Sequence, residues 1–479
     1  MKADHDSIAA NAALGMADPC LKVEINWATT TWTDESAYAI NASGHSEIMD
    51  PYAGLLSLGT AKIATATVMV NNPTKRYSAK VAGTQAATNG IRGKGIRISA
   101  GYAGGYERVF TGIIMDCVAP ENEETATLTC HDLGSEPKRQ QYTSAMYANE
   151  ETKTWLGRIR AWAAVASHSF ENTVHVIPYC YLDDDDLLGE MRKAAASEAG
   201  GLFYDSDGTL HYWGAYHWVG EASVATFDRS DFLELTPALG YDNIYNIISV
   251  TYSPQQKGRG TIVYQLKRPV MVPKGGTETL TINFPKPLAT WIGATMAVVD
   301  GGGNDMSAAV TASTGPPDGA QRWTVVFTNA STKLAAWVTR FDVTGYPVDK
   351  RPAETYTEDA SAVGETDRRY DVPPSPYVQT EQQARYLAKL LAQRLKTVRA
   401  VYTTGGMNGN PLLELGDVVT LQGDIAVTSA TAIITSMDWA FGDDYTMSLA
   451  CADKASLYGF TESEYWTIGT SPCGARVVA

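Results

Sequence analysis

No stretch of this chain stays apolar for long. The longest strongly apolar run, AWAAVA at 161–166, falls far short of the ~18 residues a membrane-spanning helix needs. The opening MKADHDSIAANAALGMADPC carries Asp4 and Asp6 and has no apolar centre. It does not read as a secretory signal, so the expectation is a soluble protein made in a cytoplasm. Cysteine is sparse: Cys20, Cys117, Cys130, Cys180, Cys451 and Cys473 are all there are, and no two lie within four positions of each other. That excludes zinc-ribbon and thioredoxin-type motifs and a disulfide scaffold, and leaves buried free thiols as the expectation. Positive charge is in deficit, with 38 Lys and Arg against 53 Asp and Glu and a net charge of −15. The chain as a whole is therefore poorly suited to gripping a phosphate backbone. It has no GxSxG and no HExxH, and its seven histidines are scattered, which removes the usual signatures of a nucleophile elbow or a zinc site.

What is present is a globular composition, 44% hydrophobic and 19% charged over 479 residues, enough for two to four domains with ordinary cores. From about 20 to 134 the text is β. LKVEINW and AKIATATVMVNN (with Ile63, Val68 and Val70) alternate apolar and polar, and GKGIRISAGY, RVFTGIIMDCVAP and ETATLTCHD follow between Gly-rich or charged turns. Short strands at this spacing predict a barrel or sandwich. Over 152–200 the period changes to that of helices. One carries Trp155, Ile159, Trp162 and Ala166 on a face; a second carries Leu188, Met191, Ala195 and Ala199, with Asp183–Asp186 at its start and Gly200–Gly201 at its end. GLFY, DSDG and TLHYWGAYHW then read as a hairpin.

NIYNIISVTY at 243–252 resumes strand language, and 260–345 predicts a further all-β segment. Residues 351–376, with Pro352, Pro373, Pro374 and Pro376 among many charges, read as an extended strap. TEQQARYLAKLLAQRLKT predicts a helix with a Thr380/Gln383 capping box and a stripe of Ala384, Leu387, Ala388, Leu391 and Leu395, leaving Lys389 and Arg399 outward. NPLLELGDVVTLQG, TAIITSMDWAFG and DYTMSLACAD return to β.

Two of these regions repeat each other. ETATLTCHD and DYTMSLACAD both place Leu two residues before a Cys and Asp two after it; Gly95 precedes Cys130 by 35 residues, and Gly416 precedes Cys451 by the same 35. Between them Met115–Asp116 answers Met437–Asp438 with a slip of one. Three strands in one order with matching turns predict a β-barrel written twice.

The polar constellations weigh toward structural roles. His131–Asp132 suggests a relay, but the second copy reads Ala452–Asp453 there. Asp183–Asp186 could attract calcium, yet four acids at a helix start also serve its dipole. DSDGTL has Phe203 where an EF-hand's first ligand belongs, and GIRGKGIR lacks the Gly and the Ser/Thr of a phosphate loop. The aromatics of LHYWGAYHWVG fit a sugar platform or a packed hairpin. The sequence thus singles out no catalytic, cofactor-binding or metal-binding residue, no cofactor, and no identified partner-interface residue.

Five stretches, in order, carry a resemblance: VFTGIIMDCVAPENEETATLTCHD, DDDDLLGEMRKAAASEAGGLFYDSDGTLHYW, DFLELTPALGYDNIYNIISVTY, YVQTEQQARYLAKLLAQRLKT and NPLLELGDVVTLQ. Together they span residues 20–453, and in that order and spacing the chain resembles the tail-hub (baseplate hub or tail-tip minor tail protein) family of tailed bacteriophages. The resemblance implies a mainly β fold with α+β insertions: an N-terminal arm at 1–19, a first hub barrel at 20–134, a helix–hairpin domain at 135–242, a β-rich domain with an outer sandwich-like insertion at 243–350, the strap at 351–376, a helix plus second hub barrel at 377–455, and a tail at 456–479. It further implies a non-enzymatic virion protein at the tail tip, a homotrimer whose doubled barrels form a pseudo-six-fold ring. Implied partners are the tail tube or distal tail protein above and tip or fibre proteins below. The bore would be closed by a loop of this chain or by a tape measure protein, with DNA passing through without specific binding. Relatives that append a cell-wall hydrolase do so after the second barrel, where only about 25 residues follow Asp453 here. The alternatives are a carbohydrate-binding protein of the host surface contact and, less in keeping with these motifs, a cell-wall glycan hydrolase.

Overall fold

The computed structural model describes residues 18–28, 31–49, 62–102, 105–240, 244–314, 319–361, 365–396, 399–424 and 427–454. The expected tail at 456–479 and all but the end of the expected arm at 1–19 lie outside them. The fold is mainly β.

The first region holds β1 (Pro19–Ala28), β2 (Thr31–Asp34), β3 (Ala39–Glu47), β4 (Thr65–Asn71), β5 (Gly95–Tyr102), β6 (Gly105–Val118) and β7 (Thr125–Asp132). Burial follows the two-residue period of a strand with one covered face: Ala126, Leu128, Cys130 and Asp132 are buried along β7, and Val23, Ile25 and Trp27 along β1. Buried Glu35 ties β1 to the segment before β5. It accepts from Trp27 Nε1 at 2.7 Å, from the Tyr77 hydroxyl at 2.7 Å and from Arg76 Nε at 2.8 Å, which supplies the partners a buried carboxylate requires.

The helix–hairpin region follows, with β8 (Gln141–Tyr142), β9 (Tyr147–Glu151), β10 (His168–Phe170), β11 (Val176–Cys180), β12 (Asp185–Asp186), β13 (Gly201–Tyr204) and β14 (Leu210–Trp213) around helices Thr152–Trp162 and Leu187–Ala196. It has its own core of Trp155, Leu156, Ile159, Leu188, Met191, Leu202, Leu210 and Tyr212. The first helix stops at Trp162, and Ala166 lies beyond it, exposed, because Ala164 turns the chain at φ 54°. The second ends through Ala199 at φ 52° ahead of Gly200. Asp186 caps its start, accepting from Gly189 N at 2.7 Å.

After β15 (Ala225–Phe227), β16 (Glu234–Gly240) and β17 (Ile247–Tyr252) come β18 (Gln255–Lys257), β19 (Thr261–Gln265), β20 (Val270–Val272), β21 (Thr277–Asn283), β22 (Leu288–Val299), β23 (Val310–Thr314), β24 (Arg322–Asn329) and β25 (Ala336–Lys350). Strands β18, β19, β20 and β22 pair with β25, while β21, β24 and β23 form a second sheet. The two share a core that includes Val272, Ile282, Val325, Phe327, Val338 and Phe341, a sandwich of the kind the resemblance implies. The expected strap is instead two strands, β26 (Glu354–Asp359) and β27 (Arg369–Val372), one on each side of β17. Their exposed charges hide the alternation; Tyr356, Tyr370 and Val372 face the core.

The helix Glu381–Leu395 has its capping box, and Ala384, Leu387, Ala388, Leu391 and Leu395 are buried while Lys389 is exposed. It packs on β17 and β26 rather than on a barrel wall. The Arg399 side chain lies outside the described residues. Last come β28 (Arg399–Asn408), β29 (Val418–Leu421), β30 (Ala430–Phe441) and β31 (Tyr445–Asp453). The two regions expected as separate barrels are joined: one sheet runs β16-β28-β31-β30-β3-β4-β7-β6-β5-β1-β2, with β29 on β30 and β15 on β29, over one continuous core.

Candidate functional site

The polar motifs of the sequence resolve into structural parts. The Asp132 carboxylate is buried and accepts from Ala64 N at 2.7 Å and Gly134 N at 2.8 Å. Burial pushes its pKa up to about 6 against the pull of those two N–H groups. His131 points to the other side of β7, and burial together with Arg139 and Lys138 lowers its pKa. The four aspartates shape a turn and a cap: Asp183 N donates to Asp185 at 2.9 Å and Asp184 sits at φ 60°. In DSDGTL, Asp205 accepts from Thr209 N at 2.7 Å, with Gly208 at φ 85° supplying the turn. Among the described residues no three His, Cys, Asp or Glu side chains are grouped to hold a metal. Five cysteines are free thiols, with Cys130, Cys180 and Cys451 buried and Cys20 and Cys117 half-buried; Cys473 lies outside the described residues.

The aromatic hairpin is a plug. Leu210 and Tyr212 are buried, Trp213 stacks on His217 with ring centroids 3.8 Å apart, and Trp218 Nε1 donates to the Gly416 carbonyl at 2.9 Å. A cavity of about 100 Å³ lies between this hairpin and strands β6, β30 and β31 of the large sheet, lined in part by Asp132, Tyr204, His211, Trp439 and Tyr445. His211 is bonded to Asp205 at 2.9 Å and Ser206 to Glu414 at 3.0 Å, so imidazole and hydroxyl serve different carboxylates.

The organised feature of the molecule is the sheet itself, built from one unit twice. The order β3-β4-β7-β6-β5 is repeated as β16-β28-β31-β30-β29. The register agrees along the β6–β7 and β30–β31 ladders. Ile114 faces Cys130 and Asp116 faces Thr129, with Met115 bulged between; Ile434 faces Cys451 and Ser436 faces Ala450, with Thr435 bulged between. At the preceding turn Gly93 N donates to the Ile114 carbonyl at 2.7 Å and Gly416 N to the Ile434 carbonyl at 2.8 Å, both glycines at positive φ, 79° and 83°. Cys130 and Cys451 are therefore equivalent, as the sequence predicts. Two details of that prediction are corrected: Met115 corresponds to Thr435, not Met437, and Gly416 corresponds to Gly93, not Gly95. The units differ at their ends, since β1 joins β5 antiparallel while β15 joins β29 parallel.

One seam joins the units. Along it β3 and β30 run antiparallel, from Ala42 opposite Phe441 to Glu47 opposite Ser436. His45 Nδ1 meets Asp438 at 2.7 Å on the outer face. On the inner face the Trp439 indole fills the space over Gly44, where a Cβ would stand 2.5 Å from the ring. Asp438 belongs to a repeated Met–Asp pair, but nothing in the sequence pairs it with His45 across the seam.

No protein-family model matches the chain, and no curated protein matches its sequence. Solved structures match its fold. A tail protein from Neisseria meningitidis MC58 is similar over 92% of this chain and 98% of its own, with 11% identity and a TM-score of 0.50. The 43 kDa tail protein of prophage MuSo2 from Shewanella oneidensis is similar over 91% of this chain and 99% of its own, with 10% identity and a TM-score of 0.50. The chain has the fold of these two tail proteins along nearly its whole length.

Proposed function

We propose that this chain is a structural protein of a phage tail, a homotrimeric hub at the distal end that joins the tail tube to the tip and lets DNA pass. The observation that carries this is the unit written twice in one sheet with the same strand order, bulge and glycine turn. Three copies of a chain that carries two near-equivalent units present six such units, which is what a three-fold body needs to abut a six-fold tube. Closing strands into a ring also removes exposed edges. The tail-protein fold supports the same reading. In it, 20–134 and 377–455 together with β15 and β16 are the hub, the helix–hairpin region up to β14 and the sandwich within 243–350 decorate it, and the neighbours are tube or distal tail proteins above and tip proteins below. The reading is of a non-enzymatic protein of the virion tail tip.

Native mass measurement of the full chain across the micromolar range tests this: a trimer of 51.6 kDa chains, with ring-shaped class averages by electron microscopy, is the expected outcome. A monomer at every concentration would remove the hub reading.

A further inference from the structure

Among the described residues the seam between the two units occurs once, although the edges for it are present twice. Strand β3 lies outermost in the first unit, on β4, and turns its free edge to β30. Strand β16 lies outermost in the second unit, on β28, in the same position, and β6 occupies in the first unit the position of β30 in the second. Among the described residues β16 ends the sheet, and β6 beyond Asp116 pairs only with β7.

We infer that these two unpaired edges form one interface, and that its occupant is a second copy of this chain, with β16 of one protomer beside the C-terminal end of β6 of the next. The inference rests on the trimeric hub reading and names the surface that builds it.

The register of the vacant seam follows from the occupied one. His45 faces Thr65, which faces His131; Ala238 faces Val401, which faces Ala452. Since His131 and Ala452 directly follow the equivalent cysteines, Ala238 takes the place of His45. Asp438 lies four residues beyond Ile434, and Val118 four beyond Ile114. The His45–Asp438 pair of the internal seam thus becomes Ala238 against Val118, Ser46–Met437 becomes Leu239 against Cys117, and Gly44–Trp439 becomes Pro237 against Ala119.

The chemistry of these edges fits an apolar contact that excludes other strands. Val118 is 54% and Leu239 56% exposed, among the most exposed large apolar side chains described, and both lie on unpaired strand edges where apolar exposure invites association. Every side chain in the three central positions is apolar, so no like charges meet. Pro237 lacks an N–H and donates no backbone hydrogen bond to an added strand. The contact is head-to-tail, β16 to β6, and such a contact closes into a ring when the rotation between successive copies closes, as the trimeric reading requires. Around the ring, seams within a chain would alternate with seams between chains.

Directly opposed residues in an antiparallel pair have Cβ atoms about 4.5–5.5 Å apart, close to the separation a disulfide spans. In the full chain, V118C/A238C under mild oxidation should give a covalent trimer on a non-reducing gel, and an equal mixture of the V118C and A238C single variants a covalent dimer. Either single variant alone and the wild-type chain should give no such product. A second measurement does not rely on disulfide geometry: V118D/L239E, changing two exposed positions, should lower the trimer fraction at a fixed micromolar concentration by tenfold or more while the circular dichroism stays that of the wild type. A wild-type trimer whose cysteine variants do not cross-link and whose charged variant still assembles overturns this interface and leaves the trimer standing. A wild-type chain that is monomeric overturns both.

Discussion

Trp218 hangs its indole N–H on the carbonyl of Gly416, 2.9 Å away, and so pins the aromatic hairpin to the glycine turn that precedes β29 in the second unit. Trp213 covers the same glycine so closely that a Cβ there would collide with its ring. Gly93, the equivalent glycine of the first unit, has the same left-handed backbone but open space where a Cβ would stand.

The two glycines should therefore respond differently to alanine. Gly93→Ala meets backbone strain alone and should lower stability by about 1–2 kcal/mol. Gly416→Ala adds overpacking against Trp213, about 1–3 kcal/mol more. Urea denaturation of both variants checks this, and equal losses would mean that the hairpin yields freely at Gly416.

Leu391 is buried in the stripe that seats helix Glu381–Leu395 on β17 and β26. Leu391→Ala should cost roughly 2–5 kcal/mol by the usual sum of lost transfer energy and residual cavity. Lys389→Ala on the exposed face should shift the midpoint within ~0.5 kcal/mol. Chemical denaturation of the pair gives the comparison.

Asp132 supplies a pH dependence of stated sign. Its folded-state pKa is pushed up to about 6 by burial, above the ~3.9 of an unfolded aspartate. Between these values the folded chain holds a proton that the unfolded chain has released. Stability from this group is greatest below pH ~4, declines as pH rises to about 6, and is level above that. The decline is on the order of 3 kcal/mol at most, because a tenfold change in proton affinity is worth about 1.4 kcal/mol and the two values stand roughly a hundredfold apart. Asp132→Asn should remove this component from a series of denaturation midpoints between pH 4 and 7.

With a net charge of −15 per chain, a bore that passes DNA should carry more Asp and Glu than Lys and Arg, because each phosphate contact would add affinity through released counterions and slow passage. The full chain should show no measurable binding to duplex DNA at physiological salt by fluorescence anisotropy. Tight, salt-sensitive binding, or a Lys/Arg belt around the bore in a particle reconstruction, would count against a conduit.

Whatever is written within a few residues, or in a regular period, could be read from the chain alone. The Thr380/Gln383 capping box, the stripe of helix Glu381–Leu395, the DSDG hairpin and the alternation of β7 are all local, and the structure keeps each one. The duplication was legible too, because two copies of a strand ending carry the same Leu, Cys and Asp, but its frame was not. The bulges at Met115 and Thr435 leave no residue in common, and the shared Met–Asp pairs stand two positions out of phase, so identity pulled the alignment away from the hydrogen-bond register. The strands β26 and β27 were hidden for a different reason: each has one wet face dense in charge beside prolines, and only pairing with β17 gives them a fold. The seam belongs to tertiary structure alone. His45 and Asp438 are 393 residues apart, and a strand edge has no residue preference strong enough to name its partner, since the bonds that make the pairing are between backbone groups that every residue but proline carries.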